Sequence, residues 1–126
     1  MEPIQITKIH EQHYHDQHLG LDFGRKTALL DTKPLGLTRK EYDLLALLIQ
    51  HAGELVARET LLLRVWGYSN QIRTRTLDVH IRRLRKKIGD HNGTYIETIF
   101  GVGYRFQPFR GPQLVQRQPQ MFALGA

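Results

Sequence analysis

The chain has 126 residues, no cysteine, and 18 Lys+Arg against 12 Asp+Glu, a net charge of +6. That length suits one domain with an appendage rather than two domains, and the missing thiols exclude a disulfide scaffold, a thiolate zinc finger and a cysteine nucleophile. The longest unbroken apolar run, Leu44–Ile49, is far shorter than a bilayer span of about 20 residues, and the N-terminus lacks the basic-then-apolar order of a secretory signal, so a membrane-free protein is expected.

Residues 1–13 read as an N-terminal extension in which alternating Ile4 and Ile6 allow a strand over Ile4–Ile9. Residues 14–37 predict a small antiparallel sheet. Leu19–Phe23, Thr27–Asp31 and Pro34–Leu37 are short strands, separated by the turn-like Gly24-Arg25-Lys26 and Asp31-Thr32-Lys33-Pro34. Residues 38–106 contain no proline and carry the strongest patterns. Thr38 and Glu41 have capping-box spacing, in which a hydroxyl and a carboxylate satisfy each other's backbone N–H. Tyr42, Leu45, Leu48 and Ile49 then recur at helical spacing, with Gly53 as the stop. A second helix is expected from Arg58 to Val65, ended by Gly67, with Trp66 on its apolar side as a core anchor rather than a stacking platform. Residues 68–74 form a polar loop. A basic helix follows over Arg75–Ile88, closed by Gly89. Residues 94–106, TYIETIFGVGYRF, read as a hairpin turning at Gly101-Val102-Gly103, where glycine supplies positive φ. Residues 107–126, with three prolines and five glutamines, predict an irregular tail.

Most of the charge lies in one place. Arg75–Lys87 holds six cations and one acid, a net +5, against +1 for the rest of the chain. On a helical wheel at about 100° per residue, Leu77, Ile81, Leu84 and Ile88 fall within about 60° of one another. Arg75, Arg82 and Lys86 lie opposite with Val79 among them, and Arg83 and Arg85 flank them. A solvated face usually mixes signs for i,i+4 pairing. This one is a single-sign ridge about three turns long, suited to a DNA major groove. Three helices and a hairpin, with the last helix basic, give an α+β fold of winged helix-turn-helix type.

The blocks LTRKEYDLLALLIQHAGELV, LLLRVWG, RTLDVHIRRLRKKIG and YIETIFGVGYRF, in this order and spacing, resemble the OmpR/PhoB-type DNA-binding effector domain of bacterial response regulators. HLGLDF…LLDTKPLGLT resembles the small sheet that precedes the helices in that family, so the match covers about residues 14–106. The resemblance implies a cytoplasmic transcriptional regulator of a two-component system that binds double-stranded DNA. Helix 75–88 is then the recognition helix, residues 96–106 the wing on the backbone and minor groove, and loop 68–74 a surface toward RNA polymerase or a neighbouring subunit. Two protomers are expected to form a homodimer on direct-repeat half-sites about one helical turn apart. Carried over by position, Arg75, Thr76, Arg82 and Arg85 mostly hold phosphates, Val79 and Arg83 meet base edges, and Lys86 joins them on the DNA-binding side. Asp78 and His80 support or orient them. Thr98, Tyr104 and Arg105 are the wing's backbone contacts.

Three positions depart from the family pattern. Phe100 stands where the wing commonly carries an arginine, which leaves the minor-groove contact open between a weaker wing and a packed Phe100. Ala57 and Thr60 replace the usual Ser/Thr cap and glutamate of the second helix, a loss of about 1 kcal/mol. The 126 residues have no room for a receiver domain, so an excised effector domain and a stand-alone regulator are both compatible.

Other chemistries find less support. His10, His13, His15 and His18 cluster, and neutral imidazoles can bind metal, but no second shell is visible; no metal or cofactor is expected. Gly101-Val102-Gly103 does not open a helix and is no phosphate loop. No catalytic constellation stands out, so no enzyme is expected. Two competitors remain: an RNA-binding basic domain, which would more often interleave exposed aromatics with its cations, and a winged-helix protein-interaction module, since fold alone does not set function.

Overall fold

A computed structural model describes residues 8–9, 12–68, 74–90 and 93–109. The N-terminal part is a five-stranded antiparallel sheet in chain order: β1 (Lys8–Ile9), β2 (His13–His15), β3 (Leu19–Asp22), β4 (Thr27–Leu30) and β5 (Lys33–Pro34). This sheet begins earlier than the expected boundary at residue 14. The histidine-rich stretch is itself a strand, with Tyr14 buried between exposed His13 and His15 in the two-residue alternation of a half-covered sheet. Only β1 represents the expected strand over Ile4–Ile9; its earlier part lies outside the described residues. Pro34 sits on the edge strand, where a missing N–H removes no ladder bond. The expected strand over Pro34–Leu37 does not continue beyond Pro34.

Helix α1 (Arg39–Gln50) starts at the expected capping box. Glu41 N–H donates to Thr38 Oγ1 at 3.2 Å, and Thr38 N–H donates to Glu41 Oε1 at 2.9 Å. Tyr42, Leu44, Leu45, Leu47, Leu48 and Ile49 are all buried, too many for a helix with one wet side. Helix α1 is accordingly central, with Tyr42 Oη donating to Asp22 O of β3 at 3.3 Å and other faces against the later elements. It ends three residues before Gly53. That glycine (φ +84°) instead turns the chain so that its N–H meets Phe106 O at 2.8 Å.

Strand β6 (Leu55–Ala57) was not expected. Three residues between a turn and a helix are too few to display a two-residue period. Helix α2 (Arg58–Leu61) begins at Ala57 with no side-chain cap, as its sequence implies, and continues as a wider π-type turn over Leu62–Trp66 to Gly67 (φ +78°). Helix α3 spans Thr76–Lys87, with Leu77, Ile81 and Leu84 fully buried. Strands β7 (Ile96–Ile99) and β8 (Gly103–Phe106) form the expected hairpin, and β6 adds to it in the order β6-β8-β7.

The two hairpin glycines act differently. Gly101 (φ +78°) makes the turn. Gly103 lies in β8, where an added Cβ would come within 2.1 Å of Val56 O. Close approach of β6, rather than positive φ, requires glycine there.

Asp16 joins the two sheets. Its carboxylate accepts from His18 N and Leu19 N in the β2–β3 connection and from Tyr95 Oη at 2.8 Å, 79 positions along the chain. Phe106 lies between Tyr14 (edge-on, centroids 5.7 Å apart) and Tyr95 (stacked, 5.6 Å). Phe109 packs against the same cluster, so the start of the expected tail is docked; residues 110–126 lie outside the described set.

Candidate nucleic-acid interface

Helix α3 is held on three sides. Its apolar stripe (Leu77, Ile81, Leu84 and, just past its end, Ile88) faces the core. On one flank, at about 80° to 100° from that stripe, Asp78 and Arg85 reach the neighbouring sheet. Asp78 Oδ1 accepts from Arg58 Nη1 at 2.6 Å and from Tyr104 Oη at 2.8 Å. Arg85 donates to Ile96 O at 2.6 Å and to Thr98 Oγ1 at 2.7 Å, with its guanidinium carbon 5.9 Å from the centre of the Tyr104 ring. On the other flank, the His80 ring meets Trp66 edge-on at 4.9 Å, and His80 Nδ1 donates to Thr76 O at 2.9 Å. Trp66 is half-buried against the core, as its helical position implies. Near the C-terminus of the helix, Lys87 Nζ donates to Glu41 Oε1 at 2.6 Å and Gly36 O at 3.1 Å.

Burial works to raise the Asp78 carboxyl, but the Tyr104 and Arg58 hydrogen bonds and the nearby Arg58 and Arg75 charges outweigh it and hold it below the usual range. Tyr104 is pushed up to about 12, by burial first and then by its bond to Asp78. Glu41 is similarly held low: burial opposes ionisation, and the bonds from Lys87 and Thr38 overcome it. All three groups therefore keep their bonding forms at neutral pH, and α3 is fastened by charge-assisted bonds.

What remains is the ridge. Arg75, Arg82, Arg83 and Lys86 are exposed, with Val79 half-buried between them. Among the described residues, no ion pair engages these four cations. Thr76 is half-buried beside them; its N–H donates to Thr74 Oγ1 at 3.0 Å, which satisfies an N–H at the start of the helix. The ridge thus carries four of the six cations counted in the sequence. Arg85 and Lys87 point to the protein because they lie beside, not opposite, the apolar stripe.

The expected wing contacts look different in three dimensions. Thr98 accepts from Arg85, Tyr104 is buried against Asp78, and Arg105 Nε donates to Glu97 Oε1 at 2.9 Å. Arg85 and Tyr104, expected on DNA, both make bonds within the protein, Arg85 through Nε and Nη2 and Tyr104 through Oη. The sequence reading missed Arg58, whose partner is 20 positions away with no local pattern to reveal it. It also left Phe100 open; the side chain does not pack but is 89% exposed at the hairpin tip. Loop 68–74 is described only at Tyr68 and Thr74. Among the described residues, no group of three or more His, Cys, Asp or Glu side chains is placed to hold a metal ion, and no helix is long and apolar enough to cross a membrane.

The family model described as "Transcriptional regulatory protein, C terminal" matches residues 32–106. The chain belongs to this family, the OmpR/PhoB-type effector domains. It is 45% identical over 82 residues to the uncharacterized transcriptional regulatory protein YclJ of Bacillus subtilis, a match covering 64% of this chain and 36% of YclJ. It is 43% identical over 76 residues to the response regulator ArlR of Staphylococcus saprophyticus, covering 60% and 34%. The chain thus spans about a third of the length of these curated relatives. Among solved structures, the DNA-binding domain of CpxR from E. coli matches with a TM-score of 0.70 at 34% identity, over 78% of this chain and 98% of that one. The Klebsiella pneumoniae RstA DNA-binding domain, solved in complex with the RstA box, matches with a TM-score of 0.68 at 32% identity, over 72% and 92%. This OmpR/PhoB-type domain therefore has the winged-helix fold that its sequence resembles.

Proposed function

We propose that this effector domain binds double-stranded DNA sequence-specifically as a cytoplasmic transcriptional regulator, with α3 in the major groove. The observation that carries the reading is the Arg75–Val79–Arg82–Arg83–Lys86 ridge: solvent-facing, of one sign, on a helix whose other sides are all anchored. A recognition helix needs that rigidity, because base readout depends on side chains held in register. Arg75, Arg82 and Lys86 hold phosphates, and Thr76 helps place the helix start. Arg83 and Val79 meet base edges, where a guanidinium pairs with guanine O6 and N7 and a valine packs on a thymine methyl. Asp78, Arg85 and Tyr104 act as positioning residues that fix the wing against α3, and His80 orients the opposite flank through Trp66. Two protomers on direct repeats, and a contact from loop 68–74 to RNA polymerase, belong to the same proposal.

Selection of bound sequences from a random duplex pool at moderate salt tests it. The expected product is a tandem repeat with a period of about 10–11 base pairs. Unselected pools after several rounds, with equal retention of duplex and no competitor preference, would remove the specific-binding reading.

A further inference from the structure

We infer that Phe100 is an apolar wedge that enters the DNA minor groove beside the site of α3 and bends the duplex at a flexible base step. This inference rests on the DNA-binding reading above.

Phe100 is 89% exposed, and Val102 beside it is 42% exposed, whereas the other phenylalanines among the described residues, Phe23, Phe106 and Phe109, are buried or packed against the core. A single exposed apolar side chain is ordinary on a surface; its setting here is not. The turn is tied at both ends. Val102 N donates to Ile99 O at 3.0 Å across the turn, and Arg58 N donates to Val102 O at 3.0 Å from the start of α2. Behind the tip, β7 is bonded to α3 through Arg85, and β8 through Tyr104 and Asp78. Phe100 and Asp78 border the same open depression, which places the tip next to the first turn of α3. The ring is thus presented by a braced frame at a set position from the cationic ridge.

The hairpin also offers DNA little else. Its one cation, Arg105, is paired with Glu97, so the tip has no charge with which to neutralise phosphates. A duplex drawn onto the ridge brings its adjacent groove against an uncharged ring. The favourable outcome for such a ring is insertion between base pairs, which hides it from water and unstacks one step. Pyrimidine–purine steps unstack most cheaply, so Phe100 adds a preference for a TA or CA/TG step at a place where the domain makes no hydrogen bond to a base.

The test uses a duplex of about 30 base pairs carrying one selected repeat, with 2-aminopurine replacing adenine at the flanking TA step and a dye pair on its ends. The native protein is expected to raise the 2-aminopurine emission and bring the ends closer. Phe100→Ala is expected to lose both signals and to bind about tenfold more weakly, with an unchanged dependence on salt. Phe100→Arg is expected to keep affinity without bending and to steepen the salt dependence by about 0.9 log units per decade, one phosphate contact. The exposure of the side chain predicts an unchanged unfolding midpoint for both variants. Phe100→Ala binding and bending as the native protein does would overturn the wedge while leaving DNA recognition intact. Failure of the native protein to prefer any duplex would overturn both readings.

Discussion

Arg82, Arg83 and Arg85 lie within four positions of one another and are chemically identical, yet they have two different surroundings. Arg82 and Arg83 are exposed on the ridge, while Arg85 is bonded to Ile96 O and Thr98 Oγ1. Substitution should separate them. Arg83→Ala is expected to relax base preference at one position, costing about 1–3 kcal/mol on the best site. Arg82→Ala should weaken all duplexes alike and reduce the salt slope by about 0.9. Arg85→Met should leave that slope unchanged and instead lower the unfolding midpoint, because the Ile96 carbonyl and the Thr98 hydroxyl lose their donor. Competition titrations at several salt concentrations, beside denaturant melts, distinguish the three. A salt-slope change from Arg85→Met would return that side chain to the phosphate-binding set.

At the scale of elements, α2 and the three-stranded sheet are opposite cases. Helix α2 lacks a cap because Ala57 has no side-chain acceptor, although its backbone (φ −67°, ψ 149°) already has the extended geometry of a capping residue. Ala57→Ser is expected to stabilise the domain by about 1 kcal/mol, a rise of about 4–8 °C in Tm for a domain of this size. Calorimetry measures it, and an unchanged Tm would show that the orphan N–H groups are already satisfied. The sheet, by contrast, has no room to improve at Gly103. Gly103→Ala places a methyl 2.1 Å from Val56 O, a backbone atom that cannot swing aside. The expected cost is at least about 2 kcal/mol, with the hairpin amides exchanging faster with solvent than those of α1.

On the scale of the whole molecule, the carboxylates that join distant segments set the response to acid. Asp78 and Glu41 both have lowered folded-state values, in each case because hydrogen bonds and cations overcome the opposing effect of burial. A lowered value means that the unfolded chain takes up protons first as pH falls. The stabilisation is therefore complete above the ordinary carboxylate range of about 3.9–4.3 and is lost as pH drops through the lowered values. Denaturant midpoints are expected to be level from about pH 7 to 5 and to fall below that. Asp78→Asn should be less stable at neutral pH and show a shallower acid decline. A parallel decline in the variant would remove Asp78 from this account.

Much of this architecture is legible in residue order because it rests on local physics. The α1 capping box needs two side chains three positions apart, the α3 amphipathicity needs only a 3.6-residue repeat, and the turn at Gly101 needs a residue that tolerates positive φ. The basic ridge follows from the same repeat, and four family-like blocks located the domain. Strand β6, the clamp from Arg58 to Asp78, the close approach at Gly103 and the assignment of two of the six cations to internal bonds are different. Each depends on a partner 11 to 51 positions away along the chain, beyond the reach of any local repeat. Residue order therefore determined which helix would be basic, and tertiary packing decided which of its charges face outward. Side-chain direction follows the helical repeat, whereas side-chain occupancy depends on what the rest of the fold brings within reach.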